Sequence, residues 1–186
     1  AAAASVANVI RGVPGYPDEA RRLIVADVTM RSGLALRVAS AYMPNGKAPA
    51  SPHYGYKLEW MSALALWVKA QAAAGAPLVL LGDFNVAPED KDAWSLTEAG
   101  GLLVSAPERQ AYRRFLECGL EAPWDRQSAH AQPYSWWDYR GMSFQKGRGM
   151  RIDHILAAPS VAGRVVRIDV DAAPRALEKT SDHAPV

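Results

Sequence analysis

Several short segments of this 186-residue sequence place acidic, amide, imidazole or phenol groups beside apolar stretches. The first is Leu-Leu-Gly-Asp-Phe-Asn, in which an apolar run leads to Asp83 and Asn85. If the backbone stays extended past Gly82, these two side chains lie on the same side of it. A turn that closes a strand uses the same residue types, but the pair at the mouth of a buried strand favours a functional site.

A second candidate lies in Arg-Ile-Asp-His-Ile-Leu, where Asp153 interrupts an otherwise apolar strand. An unpaired carboxylate buried there would be strongly destabilising, so a histidine, a metal ion or an arginine must satisfy it. The alternative without a functional role is an ion pair between Asp153 and the neighbouring Arg151. His154 alternates to the other face of the strand and is expected to be a surface or packing residue.

Two further segments complete the set of candidate groups. Ser-Asp-His-Ala-Pro-Val brings Asp182 next to His183, which can supply a metal carboxylate and a general acid or phosphate donor. Tyr42 ends a predicted strand in Ala-Tyr-Met-Pro-Asn-Gly. Each segment is a weak signal alone, because an Asp-His dipeptide and a tyrosine at the rim of a core are common.

Phosphodiester hydrolysis is a reaction that needs this combination of groups. The substrate is an anion that repels hydroxide, and negative charge grows on its oxygens in the transition state. A divalent cation on carboxylates, with imidazole, amide and phenol donors on the oxygens, offsets that charge, while one aspartate orients or deprotonates the water. Hard oxygen ligands and the lack of cysteine ligands favour Mg²⁺ or Mn²⁺ over zinc.

A further segment, residues 135–151, combines aromatic and basic side chains. Trp136 and Trp137 are followed by Arg140, Lys146 and Arg148. Arginine and lysine contact phosphates, and aromatic faces stack on bases or sugars. Arg140 and Arg148 are therefore candidate DNA contacts, and we expect one of the two tryptophans to pack in the core.

The periodicity of apolar residues predicts the elements that must position these groups. The predicted strands cover residues 21–30, 34–43, 77–81, 134–139, 151–157 and 164–170, and the predicted helices cover residues 56–74 and 107–118. Strands and helices alternate without a linker or repeat, which indicates a single mixed α/β domain over residues 1–186.

Composition narrows the class of protein. With 49% hydrophobic and 22% charged residues the chain can bury a core, and a net charge of +2 is compatible with a polyanionic ligand without requiring one. The single cysteine, Cys118, excludes an internal disulfide framework and a multi-cysteine zinc site. This fits a reducing compartment, so we expect a cytoplasmic protein, and no apolar run is long enough to span a membrane.

Taken jointly, the motifs resemble a known family. Leu-Gly-Asp-Phe-Asn, Arg-Ile-Asp-His-Ile-Leu and Ser-Asp-His-Ala-Pro-Val occur in the order and spacing of the endonuclease/exonuclease/phosphatase superfamily. Tyr-Met-Pro-Asn-Gly, Ser-Trp-Trp-Asp-Tyr-Arg and Arg-Gly-Met-Arg-Ile-Asp narrow the resemblance to the bacterial exodeoxyribonuclease III family of class II abasic-site endonucleases. The resemblance runs over residues 17–186. It implies a monomeric four-layer α/β sandwich, in which two packed mixed β-sheets are flanked by helices.

The resemblance implies a metal-dependent DNA-repair enzyme that acts on double-stranded DNA at abasic sites and 3′ ends. Asp83 would orient or deprotonate the attacking water, Asn85 would hold the scissile phosphate, and Tyr42 would lie against it. Asp153 would orient His183, and His183 would contact a phosphate oxygen.

The resemblance also implies metal and DNA contacts. Asp182 would help to hold Mg²⁺ or Mn²⁺, with Asp83 and Asn85 as the other expected ligands. Trp136 matches the aromatic residue that recognises a flipped-out abasic sugar, and Asn45 would contact the DNA backbone.

One part of the family pattern has no match in this sequence. The family begins with a strand that carries an asparagine, followed by a segment with a glutamate metal ligand, whereas Asn8 and Glu19 lie in Ala-rich and Gly/Pro-rich surroundings. We therefore expect a domain that lacks its N-terminal strands and one metal ligand and is cut slightly at its C-terminus. Two alternatives stay open: an inactive fragment that at most binds DNA, and a phosphatase or lipid phosphodiesterase of the same superfamily.

Overall fold

A five-stranded mixed β-sheet forms the centre of the computed structural model, which describes residues 3–97, 101–126 and 134–186. Its strands, in spatial order, are β1 (Ala3–Arg11), β2 (Leu23–Met30), β3 (Ala35–Tyr42), β4 (Leu78–Asp83) and β5 (Asp153–Ala157). β3 and β4 are parallel, and the other neighbours are antiparallel. The helices are α1 (Pro52–Ala73), α2 (Ala106–Glu117) and the short α3 (Pro159–Ala162). Single 3₁₀ turns lie at Asp90–Asp92, Pro123–Arg126, Arg140–Met142 and Pro174–Ala176.

Local sequence signals fix where the two long helices begin. α1 begins at Pro52, earlier than the predicted residue 56, because the Ser51 side chain caps it and accepts a hydrogen bond from the Tyr54 amide at 3.3 Å. α2 begins after Ser105, whose side chain and that of Glu108 form a reciprocal capping box. The parallel pairing of β3 and β4 follows from the α1 crossover between them.

Both long helices pack on the same face of the sheet. The main hydrophobic core joins Trp60 of α1 and Phe115 of α2 to alternate residues of the strands, namely Leu23, Val25, Ala39, Ala41, Leu78, Leu80 and Leu156. Alternation brings these side chains to one side because successive residues of a strand point to opposite faces. The predicted mixed α/β architecture is confirmed.

A second cluster of apolar side chains covers the other face of the sheet at β5. Trp137 is fully buried there with Ile168, Val170 and Ala184, and Ile155 of β5 packs against them. The expectation that one of the two adjacent tryptophans packs in the core is confirmed, and Trp137 is that residue.

Two predicted strands are wrong. Within residues 134–139, Trp136 forms isolated β-bridges with Met150 and with His183, but the segment does not form a continuous strand. Residues 164–170 are not paired as a strand: the amides of Arg164 and Val165 still bond back to α3. Both segments contribute apolar side chains to the second cluster, Tyr134 and Trp137 from the first and Ile168 and Val170 from the other. Sequence pattern alone does not distinguish such packing from a strand.

The N-terminal segment differs from expectation in the opposite direction. The Ala-rich segment to which no strand was assigned forms β1, which pairs antiparallel with β2. Asn8 lies at an irregularity of this pairing and has a φ of 51°. Its side-chain Nδ2 donates a hydrogen bond to Asp27 Oδ2 at 2.8 Å. Asn8 is therefore part of a surface contact of the sheet edge.

Of the two sheets that the family resemblance implies, the described residues contain the five-stranded one. Beyond it, isolated bridges join Trp136 and Ala93 to Met150 and Trp136 to His183. None of the described helices is long and apolar enough to cross a membrane.

Candidate active site

The ends of three neighbouring strands bring three of the predicted residues into one row. Tyr42 at the end of β3 is paired with Asp83 at the end of β4, and Asp83 is paired with Asp153 at the start of β5. Residues paired across a sheet point to the same face, so these side chains belong to one surface. Gly82 makes this row possible, because a Cβ added there would lie 2.1 Å from the Ala41 carbonyl oxygen.

The chain turns sharply after Asp83 instead of staying extended. Asn85 has a φ of 50°, and its amide N–H donates to Asp83 Oδ1 at 2.8 Å. Its side-chain Nδ2 donates to Asp83 Oδ2 at 3.0 Å and to the Met43 carbonyl at 2.9 Å. The predicted proximity of Asp83 and Asn85 is correct, but a tight turn produces it.

His183 lies against this row of strand ends. Its Nδ1 is 2.8 Å from Asp153 Oδ2, and its Nε2 is 3.9 Å from Asp83 Oδ2. The neighbouring Ala184 amide donates to the Ser135 carbonyl at 2.7 Å, which anchors the C-terminal segment. Asp153 is thus satisfied by a histidine, one of the three partners that its burial required.

The packing changes the acidity of both catalytic candidates. Burial, followed by the negative charge of Asp153, raises the pKa of Asp83 to about 7. Burial alone would lower the pKa of His183, but the hydrogen bond to Asp153 and the surrounding carboxylates raise it above its ordinary value. The site therefore holds a carboxyl group that can exchange a proton near neutral pH beside an imidazole stabilised in its charged form.

Asn45 extends the same network from the loop after β3. Its Nδ2 donates to Asn85 Oδ1 at 2.9 Å, so the two amides and Asp83 form one chain of hydrogen bonds. Both Nδ2 hydrogens of Asn85 are already used, and the residue is buried. In this arrangement Asn85 orients Asp83, and a direct bond from Asn85 to a phosphate would require one of these contacts to be given up.

The predicted residues surround an open cleft of about 810 Å³. Its lining includes Tyr42, Asn45, Asp83, Asn85, Trp136, Arg140, Arg148, Asp182 and His183. Asp153 lies behind His183 and is absent from this lining. The sheet and the loops thus bring eight other predicted residues to the same cleft as Asp83, and Asp153 contacts His183 from behind.

The basic and aromatic side chains of the cleft are held by specific contacts. Trp136 Nε1 donates to Asp182 Oδ2 at 2.9 Å. The exposed Arg140 guanidinium is bound by Asp138, at 2.6 Å for the shortest contact. The Arg148 guanidinium lies 4.8 Å from the centre of the Trp94 ring, a cation–π arrangement. Trp94 was not singled out in the sequence.

The structure decides between alternatives that the sequence left open for two residues around β5. His154 is buried and not on the surface: its Nε2 donates to the Val86 carbonyl at 2.8 Å. Arg151 donates to Asp92 at 2.9 Å and also contacts His154 Nδ1, so it is not the partner of Asp153. Arg151 lies before β5, which begins at Asp153, so the alternation of the strand does not fix its side chain, which turns to Asp92 and His154 instead.

A buried ion pair beneath the cleft was missed. Lys57 of α1 and Glu108 of α2 are fully buried and bonded to each other, and Lys57 Nζ donates to the Asn85 carbonyl at 2.7 Å. The available signal was a lysine at helical spacing within the apolar stripe that contains Tyr54 and Met61.

The donor chemistry of the cleft suits a hard divalent cation. Among the described residues no group of three acidic, histidine or cysteine side chains is arranged to hold a metal ion. Mg²⁺, however, typically takes only one or two protein carboxylates together with waters and substrate phosphates. The repulsion by Asp153 that helps to raise the pKa of Asp83 is what a cation beside Asp83 would relieve.

Comparisons with known proteins agree with this geometry. Residues 6–183 match the Endonuclease/Exonuclease/phosphatase family. Exodeoxyribonuclease III of Haemophilus influenzae is 33% identical over 95% of this chain, and the match covers 69% of that protein.

Solved structures give the same result. A Neisseria 3′ phosphatase bound to a product DNA hairpin is 37% identical, with a TM-score of 0.87 over 98% of this chain and 69% of that one. An abasic-site endonuclease of Archaeoglobus fulgidus is 30% identical, with a TM-score of 0.83 over 97% of this chain and 69% of that one. The fold, the cleft residues and these matches lead to one conclusion: this chain belongs to the endonuclease/exonuclease/phosphatase family.

Proposed function

We propose that this chain is a metal-dependent DNA-repair phosphodiesterase that removes nucleotides from 3′ ends of duplex DNA and incises abasic sites. The observation that carries the proposal is the cluster of Asp83, Asp153 and His183 at one end of an open cleft with arginine and tryptophan on its walls. The relatives named as exodeoxyribonuclease III and abasic-site endonuclease support the choice of substrate.

In the proposed reaction Asp83 is the general base. Its carboxylate is oriented by two bonds from Asn85, in a position to accept a proton from the attacking water. The water oxygen attacks phosphorus and gives its proton to Asp83. The bond from phosphorus to the 3′ oxygen breaks, and that oxygen takes a proton from solvent.

His183 stabilises the charge that develops on the phosphate. Asp153 holds Nδ1, which leaves Nε2 directed at the Asp83 side of the cleft, where it donates to a non-bridging oxygen. Because the pKa of His183 is raised, the imidazolium form is favoured and its donation is charge-assisted. Tyr42, which is exposed at the next strand end, lies against the same phosphate.

DNA is held by the walls of the cleft in this proposal. Arg140 and Arg148 contact backbone phosphates, Asn45 contacts the backbone beside the scissile group, and Trp136 packs on the sugar of the abasic site. Mg²⁺, or Mn²⁺ in its place, would be held by Asp83, Asn85 and Asp182 and would supply positive charge to the phosphate oxygens.

The test uses three fluorescent duplexes with the 186-residue chain. One carries an internal abasic-site analogue, one a recessed 3′ hydroxyl end and one a 3′ phosphate. Each is incubated with Mg²⁺ and with EDTA, and with the Asp83→Asn variant. The matched control is Asp90→Asn, because Asp90 is an exposed aspartate outside the cleft.

Each result separates the proposal from its alternatives. Mg²⁺-dependent cutting of the first two duplexes that is lost in Asp83→Asn and kept in Asp90→Asn supports it. Release of phosphate from the third duplex alone favours the phosphatase alternative. DNA binding that is indifferent to Mg²⁺ and to Asp83, without cutting, identifies an inactive fragment. A monomeric state and a cytoplasmic location stay predictions.

A further inference from the structure

We propose that Lys57 is a positioning residue for the reaction, because its buried ammonium group fastens together the two loops that carry Asn45 and Asn85. The inference deepens the proposed function and rests on it for its kinetic part. Lys57 does not touch the cleft, so any effect on catalysis must pass through these loops.

The contacts of the ammonium group are all directed to these two loops and to one counterion. Nζ donates to the Asn85 carbonyl at 2.7 Å and to the Asn45 carbonyl at 3.3 Å. Glu108 accepts the remaining hydrogen bond, and both side chains have no exposed surface. An ammonium group has three hydrogens, so these three acceptors use its full donor capacity.

The stem of Lys57 also packs directly under the first loop. A Cβ added at Gly46 would lie 3.1 Å from Lys57 Cδ, so the glycine allows the loop to rest on the side chain. Ser51 Oγ donates to the Gly46 carbonyl at 2.7 Å from the start of the same helix. The loop that carries Asn45 is therefore seated on the N-terminal part of α1.

The counterion is itself fixed by the start of α2. Glu108 Oε2 accepts hydrogen bonds from the Ser105 amide at 3.1 Å and from Ser105 Oγ at 2.6 Å. Tyr54 of α1 contacts the same hydroxyl. The capping box of α2 thus holds the carboxylate in place, and the carboxylate holds Lys57.

The buried pair of Lys57 and Glu108 is expected to add little to the stability of the folded state. Desolvation of both charges opposes the attraction between them, and burial lowers the pKa of Lys57 despite the nearby Glu108. An apolar pair of similar volume would fill the space without that penalty. What the apolar pair would not do is bind two carbonyl groups of neighbouring loops at fixed positions.

Those two carbonyls belong to the residues that orient the proposed base. Asn45 donates to Asn85, and Asn85 donates twice to Asp83. A shift of either loop is passed along this chain to the Asp83 carboxylate. General-base catalysis depends on the position of the base to within a fraction of an ångström. Loss of the hydrogen bonds from Lys57 to the two loops should therefore lower kcat more than it changes KM.

The test removes the ion pair without leaving an unpaired charge. In Lys57→Met/Glu108→Gln, methionine keeps most of the buried volume, and glutamine keeps an acceptor for Ser105. Tyr56→Phe is the matched control, because Tyr56 is the adjacent residue of α1 and its hydroxyl donates to Asp18 at 2.8 Å away from the cleft. Both variants are compared with the wild type for Tm, kcat and KM on the abasic duplex.

We expect the double variant to unfold near the wild-type Tm while its kcat falls by about 10- to 100-fold and its KM changes little. A second measurement, the hydrogen-exchange rate of two backbone amides, does not depend on catalysis. The Lys47 amide donates to the Asn45 side chain, and the Asn85 amide donates to the Asp83 side chain. These amides should exchange roughly tenfold faster in the double variant and at the wild-type rate in Tyr56→Phe.

A folded double variant with wild-type kcat, or with unchanged exchange at both amides, overturns the proposal. If the double variant does not fold, Lys57→Gln/Glu108→Gln is measured instead, because its neutral amides leave no unpaired charge and keep a donor beside the loops. Both readouts are then expected to move in the same direction by smaller amounts, and no movement overturns the proposal. If the wild type cuts no DNA, the proposed function fails, and the exchange measurement decides by itself whether Lys57 clamps the loops.

Discussion

Gly82 offers a direct test of how the sheet builds the site. It precedes Asp83 at the end of β4, with a φ of 126°, and a Cβ added there would lie 2.1 Å from the Ala41 carbonyl oxygen of β3. The Gly82→Ala substitution therefore combines a disfavoured backbone conformation with a clash against main chain. Because the clash lies where β3 and β4 present Tyr42 and Asp83, it should disturb the stability and the site together.

The expected loss of stability can be worked out from the two contributions. A non-glycine residue in a sparsely populated backbone region costs about 1–3 kcal/mol. Displacing packed main chain to make room for a methyl group costs roughly another 1–3 kcal/mol. The sum is about 4 kcal/mol, which is a large part of the 5–15 kcal/mol or so that stabilises a typical domain.

Gly75→Ala separates the two contributions. Gly75 also has a positive φ, of 67°, but no atom lies within 4 Å of an added Cβ. It should cost only about 1 kcal/mol, the backbone contribution alone. Urea unfolding of the two variants and the wild type measures the difference. If Gly82→Ala loses no more stability than Gly75→Ala, the close approach of β3 and β4 does not constrain this position and the reasoning is refuted.

Two further predictions concern protonation and salt. Burial, with the nearby Arg151, lowers the pKa of His154 from 6.5 to about 3, so the folded state keeps the ring neutral while the unfolded state binds a proton below pH 6.5. The free energy of unfolding should therefore fall as the pH decreases from 6.5 toward 3, by up to about 1.4 kcal/mol per pH unit. In urea unfolding at several pH values, His154→Gln should lack this contribution, whereas the control His53→Gln, at an exposed histidine, should keep it. If the free energy of unfolding depends on pH in the same way in His154→Gln and in the wild type, the prediction is wrong. Arg148→Ala should weaken duplex binding and reduce the slope of log K against log salt by about 0.9, measured by fluorescence anisotropy. Arg140→Ala should change the slope less, because Asp138 already binds that guanidinium, and an unchanged slope in Arg148→Ala would exclude a phosphate contact.

Much of the site could be predicted from the sequence because its signals are local. Asp83 and Asn85 follow an apolar run that ends in a glycine, and their contact spans two residues. The start of α2 is equally local, since the Ser105 cap and Glu108 lie one turn apart. Interactions between near neighbours depend little on the rest of the fold, so residue types and spacing are enough to predict them.

Local sequence patterns predicted strands less well where a segment packs its side chains on the core without pairing its backbone with a neighbouring strand. Residues 164–170 alternate like a strand, yet their apolar side chains, Ile168 and Val170, are buried on Trp137 without a neighbouring strand. β1 shows the reverse case, in which an Ala-rich segment becomes a strand because β2 offers it an edge. Strand formation needs a partner, and a single sequence does not say which segments become neighbours.

By itself the sequence determined the groups available for chemistry, their positions at strand ends and the family to which their order belongs. Tertiary structure decided which of them meet: His183 with Asp153, Arg151 with Asp92, and Lys57 with the Asn85 carbonyl. These partners are separated by 30, 59 and 28 residues. Contacts at such separations depend on strand register and helix packing. The free energy of the whole core sets both, and no local pattern encodes them.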